Sequence, residues 1–162
     1  MEFVMTPVAT VREGRRAPED DFWGGTTCRI ELADGYDADS LSGLADFSHL
    51  EVVYVFDRVA EDAVETGARH PRNRADWPLV GIFGQRGKKR PNRLGVSRCA
   101  LVEVDGRALV VEGLDAIEGT PVLDIKPWME EFGPRGDRRQ PTWSSELMAE
   151  YYLPGSDAQH ES

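Results

Sequence analysis

The 162-residue chain has only two cysteines, Cys28 and Cys99, and three histidines, His49, His70 and His160. The cysteines are too far apart for a metal knuckle or a CxxC redox site, and the histidines lack ligand spacing, so no metal centre is expected. Both thiols read as free and buried rather than reactive. No apolar run approaches the roughly 20 residues that span a bilayer. The opening, MEFVMTPVATVREGRR, has no basic leader followed by a continuous apolar stretch and a small-residue cleavage site. A secretory signal is therefore not expected, and the cytoplasm is the expected compartment. There is no GxxxxGK[ST], no GxSxG, and no GxGxxG that leaves a strand and opens a helix. These absences exclude P-loop, nucleophile-elbow and Rossmann chemistry.

What is present fits one soluble globular unit, with 40% hydrophobic and 30% charged residues. The net charge of −10 argues against a polyanionic partner, but its distribution does not. From Arg69 to Arg98 nine Lys or Arg residues stand against one acid, Asp76, while the rest of the chain holds 28 acids. Such segregation suits either a focused anion site or a solvated loop balancing nearby carboxylates.

Short runs rich in β-branched and aromatic residues predict strands at Val4–Val11, Thr26–Leu32, Glu51–Val59, Leu79–Phe83, Val96–Val104 and Ala108–Gly113. The clearest hairpin is CALVEVDGRALVVEGL, with Asp105-Gly106 supplying residues that tolerate positive φ. Ala38–Leu44 and Ser144–Tyr152 read as short helices, the second with Thr142 or Ser144 available as N-cap. Gly67–Pro78 and Gly84–Pro91 read as surface loops, Pro154–Ser162 as a frayed tail, and Glu13–Gly25 as mobile until something docks on it. Many short strands with few helices predict a mainly β barrel or sandwich.

Three segments say more. FSHLEVVYVFDR spans Phe47–Arg58, FGQRGKKRPNRLG spans Phe83–Gly95, and DAIEGTPVLDIKP spans Asp115–Pro127. In this order they resemble the TsaA-like, TrmO-type family, with its aromatic-Ser-His strand, its Arg loop ending in Arg-Pro-Asn, and its D-x-x-[DE]-G-T-P-x-x-D-I-K-P segment. The resemblance runs from Val4 to Pro127, and the closing PTWSSELMAEYY is similar to the C-terminus of shorter members.

The resemblance implies a single small antiparallel β-barrel with short peripheral helices, the class VIII methyltransferase fold, over residues 1–153, with 154–162 as a disordered tail. It also implies a homodimer that binds S-adenosylmethionine and N6-methylates a threonylcarbamoyl-adenosine in tRNA. It places the cofactor against Asp57 and Arg58 at a strand end, Arg86 and Val96, and the loop of Asp115, Ala116, Ile117 and Glu118. Lys88, Lys89, Arg90, Asn92 and Arg93 become candidate contacts to tRNA, with Trp77 or Trp143 as a stacking surface for a splayed base. No catalytic base can be named, and no membrane or metal partner is implied.

The residue types suit that ligand. A sulfonium, a zwitterionic amino-acid end and a flat adenine call for oxygens near sulfur, a donor such as Arg86 for the carboxylate, and an apolar slot. Bland readings stand beside these. Asp115 and Glu118 can stabilise a turn before Gly119, Arg90-Pro91-Asn92 can be an architectural turn, and Asp124 and Lys126 read as scaffold on the strand after the turn. His49 reads as a satisfied core or interface histidine. The chain also departs from the family pattern: Gln85 to Arg93 replaces Thr-Arg-Ser-Pro-[hydrophobic]-Arg-Pro-Asn-Pro, Asp57-Arg58 replaces a His-containing pair, and GRRAPEDDFWG shows no Pro-Arg-Gln contact. Two other functions therefore stay open: a methyltransferase for a small metabolite, and a non-catalytic dimer that binds S-adenosylmethionine.

Overall fold

The computed structural model describes residues 1–155. Six strands close into an antiparallel barrel in the order β1-β2-β7-β6-β3-β8: β1 Ala9–Arg12, β2 Thr27–Leu32, β3 His49–Val55, β6 Leu94–Asp105, β7 Ala108–Glu112 and β8 Pro121–Pro127. A separate two-residue pair, β4 Ala68–Arg69 with β5 Val80–Gly81, lies outside it. Closure leaves no unpaired sheet edge, so backbone donors and acceptors are satisfied around the ring.

Period-two alternation decides which side chains fill the barrel. Leu50, Val52 and Tyr54 of β3 point inward, as do Cys28 and Ile30 of β2, Cys99 of β6, Leu109 and Val111 of β7, and Val122 of β8. Both cysteines are free and buried, and burial pushes each thiol up to about 12, which agrees with their expected inertness.

Several expected boundaries shift for local reasons. The first strand begins at Ala9 rather than Val4, because Pro7 has no N–H to offer a ladder and the residues before it are exposed. The third spans His49–Val55, and the chain turns at Asp57-Arg58, where the Asp57 amide donates back to the Val55 carbonyl (2.9 Å). Leu79–Phe83 yields only the two residues of β5 before a 3-10 turn at Ile82–Gly84, and its partner β4 cuts into the expected loop Gly67–Pro78. Ala38–Leu44 forms two 3-10 turns, Ala38–Leu41 and Leu44–Asp46, parted by Gly43 at φ +83°. At the hairpin turn Gly106 takes positive φ (59°) but Asp105 does not, and Asp105 is still paired with Ala108.

The short helix α1 covers Thr142–Leu147, starting and ending earlier than expected. Pro141 occupies its N-cap position, and neither Thr142 nor Ser144 caps it, because the Ser144 hydroxyl donates to the Pro141 carbonyl (2.7 Å). His49 is exposed, with its Nδ1 against Ser48 Oγ (2.8 Å), so the expected core placement does not hold. Of the expected tail, Pro154 forms a parallel bridge with Gly24, and 156–162 lie outside the described residues, as does His160.

Candidate functional site

The loops at one end of the barrel are packed into a structured cap. Loop 13–25, expected to be mobile, is held by the C-terminal segment: the Phe22 amide donates to the Glu150 carbonyl (3.1 Å) and the Trp23 amide to the Tyr151 carbonyl (2.8 Å). Arg72 adds a bidentate pair to Asp21 at 2.8 and 2.7 Å, tying in the loop of 67–78. Arg15 stacks on Trp23 at 3.9 Å. Trp77 is 5% exposed and its indole N–H donates to Glu146 (2.7 Å), so its ring is not available to stack a base. Trp143, half-buried beside it, keeps more of its face open.

Most of the expected cofactor residues converge here. Arg58 Nη2 donates to the Glu118 carbonyl (3.3 Å), joining the end of β3 to the Asp115–Glu118 turn. Arg16 pairs with the Glu118 carboxylate at 3.0 Å, so loop 13–25 meets the same turn. The turn is pinned where Gly119 adopts φ +88° and its amide donates to the Val11 carbonyl (2.8 Å), a conformation that costs glycine little. Ala116 is buried in the core, and Ile117 is half-buried. Arg86 Nη2 donates to the Val96 carbonyl (2.7 Å), which spends one of its N–H groups and leaves the exposed guanidinium others to offer. Asp57 is exposed, and its carboxylate takes part in none of the ion pairs among the described residues.

Asp115 sits at the centre. Tyr54 from β3 donates to its Oδ1 (3.0 Å), Ser97 from β6 donates to the same oxygen, and Tyr151 from the C-terminal segment donates to Oδ2. Tyr54 fits because its cross-strand partner is Gly95: a Cβ there would lie 2.3 Å from the tyrosine ring. Burial first, and the Asp115 charge second, hold the Tyr54 and Tyr151 phenols well above the usual tyrosine range, so both stay protonated donors. Tyr152 is raised by burial and Asp115 and drawn back by Arg86, so both charges act at one place.

A folded-state pKa above the unfolded value stabilises the fold fully below about pH 10 and loses that contribution as pH rises beyond it. In an alkaline titration followed by tyrosinate absorbance, Tyr54 and Tyr151 are expected to ionise only with unfolding. A titration in which all four tyrosines ionise near pH 10 on a folded chain would contradict the cluster.

The expected tRNA contacts divide. Arg90 donates to the Gln85 carbonyl (2.8 Å) and Arg93 to the Val59 carbonyl (2.6 Å), which makes both parts of their own loop. Asn92 and Arg93 take φ of 61° and 51°, so the Arg-Pro-Asn stretch is an architectural turn in this structure. Lys88 lies 3.9 Å from Asp20, and Lys89 is half-buried. Asp124 and Lys126 contact each other on β8 as scaffold. Among the described residues no three His, Cys, Asp or Glu gather as a metal site, and no helix is long and apolar enough to cross a membrane.

Tyr54, Ser97 and Tyr151 carry no signal in spacing or composition. Tyr54 and Tyr151 stand inside two of the motifs, but only the fold brings them to one carboxylate.

The human tRNA (adenine(37)-N6)-methyltransferase is 32% identical over 76% of this chain and 27% of its own length. A Methanothermobacter thermautotrophicus relative named "Probable S-adenosyl-L-methionine-binding protein" is 32% identical over 84% of this chain and 97% of its own. The chain thus spans about a quarter of the human enzyme but nearly all of the archaeal relative. A solved TrmO structure superposes with a TM-score of 0.69 at 25% identity, over 86% of this chain and 64% of that one. TrmO from Pseudomonas aeruginosa gives 0.68 at 24% identity, over 86% and 61%, and shows the shared fold. The tRNA-methyltransferase O N-terminal domain model matches residues 10–133, from β1 through the segment after β8, and the chain belongs to that family.

Proposed function

We propose that the chain is an S-adenosylmethionine-dependent methyltransferase whose acceptor is a tRNA adenine, in the form of threonylcarbamoyl-adenosine. The observation that carries the reading is the convergence of Arg58, Arg86 and the Asp115–Glu118 turn at one end of the barrel. Family membership and the name of the human relative support it.

The residues fit the cofactor. Arg86 has N–H groups free for a carboxylate, and Asp115 is a half-buried carboxylate held by hydroxyls rather than by a cation. When bound, S-adenosylmethionine supplies an electrophilic methyl group on a sulfonium. The chain's part is to bind, to align and to exclude water, which brings the acceptor nitrogen into line with that methyl. We further propose a homodimer, one barrel domain over residues 1–153, and cytoplasmic location.

A small-metabolite acceptor is the second reading, favoured by the commitment of Arg90 and Arg93 to carbonyls of their own chain. Calorimetric titration with S-adenosylmethionine is expected to show binding that Arg86→Ala weakens at least tenfold, the scale of one charge-assisted hydrogen bond. Labelled methyl transfer to total tRNA is expected to follow, with Lys88→Ala/Lys89→Ala lowering tRNA affinity and its salt dependence but not cofactor affinity. Cofactor binding without saturable tRNA binding would move the acceptor to a metabolite. No binding by the folded wild type would overturn the reading.

A further inference from the structure

Residues 141–155 lie outside the matched family region of 10–133, yet they reach into the candidate site. Several contacts make that placement deliberate in the fold. Helix α1 is held by Glu146, which accepts from the Trp77 indole. The following backbone runs beside Phe22 and Trp23 and bridges Gly24 through Pro154. Gly24 lets the two segments approach closely, since a Cβ there would lie 2.0 Å from the Tyr152 carbonyl oxygen. With the backbone fixed on both sides of it, Tyr151 directs its hydroxyl to Asp115 Oδ2.

The result is a carboxylate gripped through both oxygens by neutral donors: Tyr54 and Ser97 on one, Tyr151 on the other. None of the ion pairs among the described residues includes Asp115. Three hydroxyl donors fix the direction of a carboxylate but bring no positive charge against it. A half-buried negative charge arranged in this way is complementary to a cation.

We propose that Tyr151 is a positioning residue that, with Tyr54 and Ser97, aims the Asp115 carboxylate at the positive charge of the bound cofactor, and that residues 141–155 are thereby part of the cofactor site. The inference rests on the reading that this chain binds S-adenosylmethionine. It adds a residue from outside the family domain and assigns the carboxylate a ligand chemistry, an organic cation of the sulfonium or ammonium class.

The test compares two ligands with the same adenosine. S-adenosylmethionine carries both cationic groups, and 5′-methylthioadenosine carries neither. Dissociation constants for each are measured on wild type, Tyr151→Phe and Asp115→Asn, with thermal midpoints taken without ligand. Tyr151→Phe is expected to weaken S-adenosylmethionine about tenfold, and Asp115→Asn more, while 5′-methylthioadenosine binds all three alike. A tyrosine that only clamps the fold would weaken both ligands together, and that outcome overturns the proposal, as does unchanged S-adenosylmethionine affinity. Should Tyr151→Phe not fold, Asp115→Asn decides by the same comparison, because its amide oxygen still accepts from the hydroxyls on one side while its NH2 can donate to the hydroxyl oxygen on the other. Failure of the wild type to bind S-adenosylmethionine would instead sink the proposed function, so the two failures are distinguishable.

Discussion

Gly95→Ala is expected to destabilise the chain by about 1–3 kcal/mol, the cost of forcing extra volume into a packed site. The new Cβ would lie 2.3 and 2.4 Å from Cε2 and Cζ of the Tyr54 ring. That ring is rigid, 1% exposed, and edge-on to Phe56 at 5.3 Å, so it cannot yield as a flexible chain end would. Moving it takes the phenol away from Asp115, now 3.0 Å distant, and ligand affinity should fall with stability. The double variant Gly95→Ala/Tyr54→Leu separates the two effects, since it relieves the clash but leaves the carboxylate short of one donor. Thermal melting is expected to recover in the double variant while S-adenosylmethionine binding does not. A single variant that melts with the wild type would show that the strand pair tolerates the methyl group and that the packing argument is wrong.

Trp77→Ala is expected to cost about 3–5 kcal/mol, the range for removing a large aromatic from a packed interior. For a chain of this size that corresponds to a fall in Tm of roughly 10 °C. Trp77 is nearly fully buried, lies under the Arg74 guanidinium at 4.0 Å, packs near Trp143 at 6.4 Å, and donates to Glu146 of α1. Its loss removes the anchor of the C-terminal segment, which is what brings Tyr151 to Asp115. Trp77→Phe keeps much of the ring area but not the indole N–H, and should cost less. Urea denaturation with both variants checks the order; equal losses would mean that the hydrogen bond to Glu146, rather than burial, holds the latch.

At both of these positions the constraint is tertiary rather than local. Gly95 stands at the end of the Arg-Pro-Asn motif and reads there as punctuation. Its actual constraint is the ring of Tyr54, which lies 41 positions earlier in the chain and faces it only because β3 and β6 pair in that register. Trp77 reads as an exposed aromatic in a loop of prolines and arginines, a natural surface for a base. It is buried because loop 67–78, loop 13–25 and α1 fold onto one another, with Arg72-Asp21 and Trp77-Glu146 as cross-links. No local period announces such a cap, since its stability comes from contacts between segments that are each irregular.

Other features were legible because they are local. Alternation and β-branched composition marked most strands, Gly106 marked the hairpin turn, and the Asp115–Pro127 segment marked the family. Strand ends were less so: Pro7 and Asp57 ended or deferred pairing according to which neighbour was available, and proline at both ends of β8 disguised the strand that closes the barrel. Arg90 and Arg93 have the composition of a phosphate-binding loop, yet their guanidinium groups hold the carbonyls of Gln85 and Val59.

The sequence by itself determined the class of fold, the order of the motifs and the family, because side-chain alternation, turn chemistry and motif spacing are properties of neighbouring residues. Only the tertiary structure decided that Tyr54, Ser97 and Tyr151, drawn from two strands and the C-terminal segment, share one carboxylate. Barrel closure and the docking of that segment bring distant residues within hydrogen-bonding reach, and a reach of about 3 Å between them is set by packing, which no local pattern encodes.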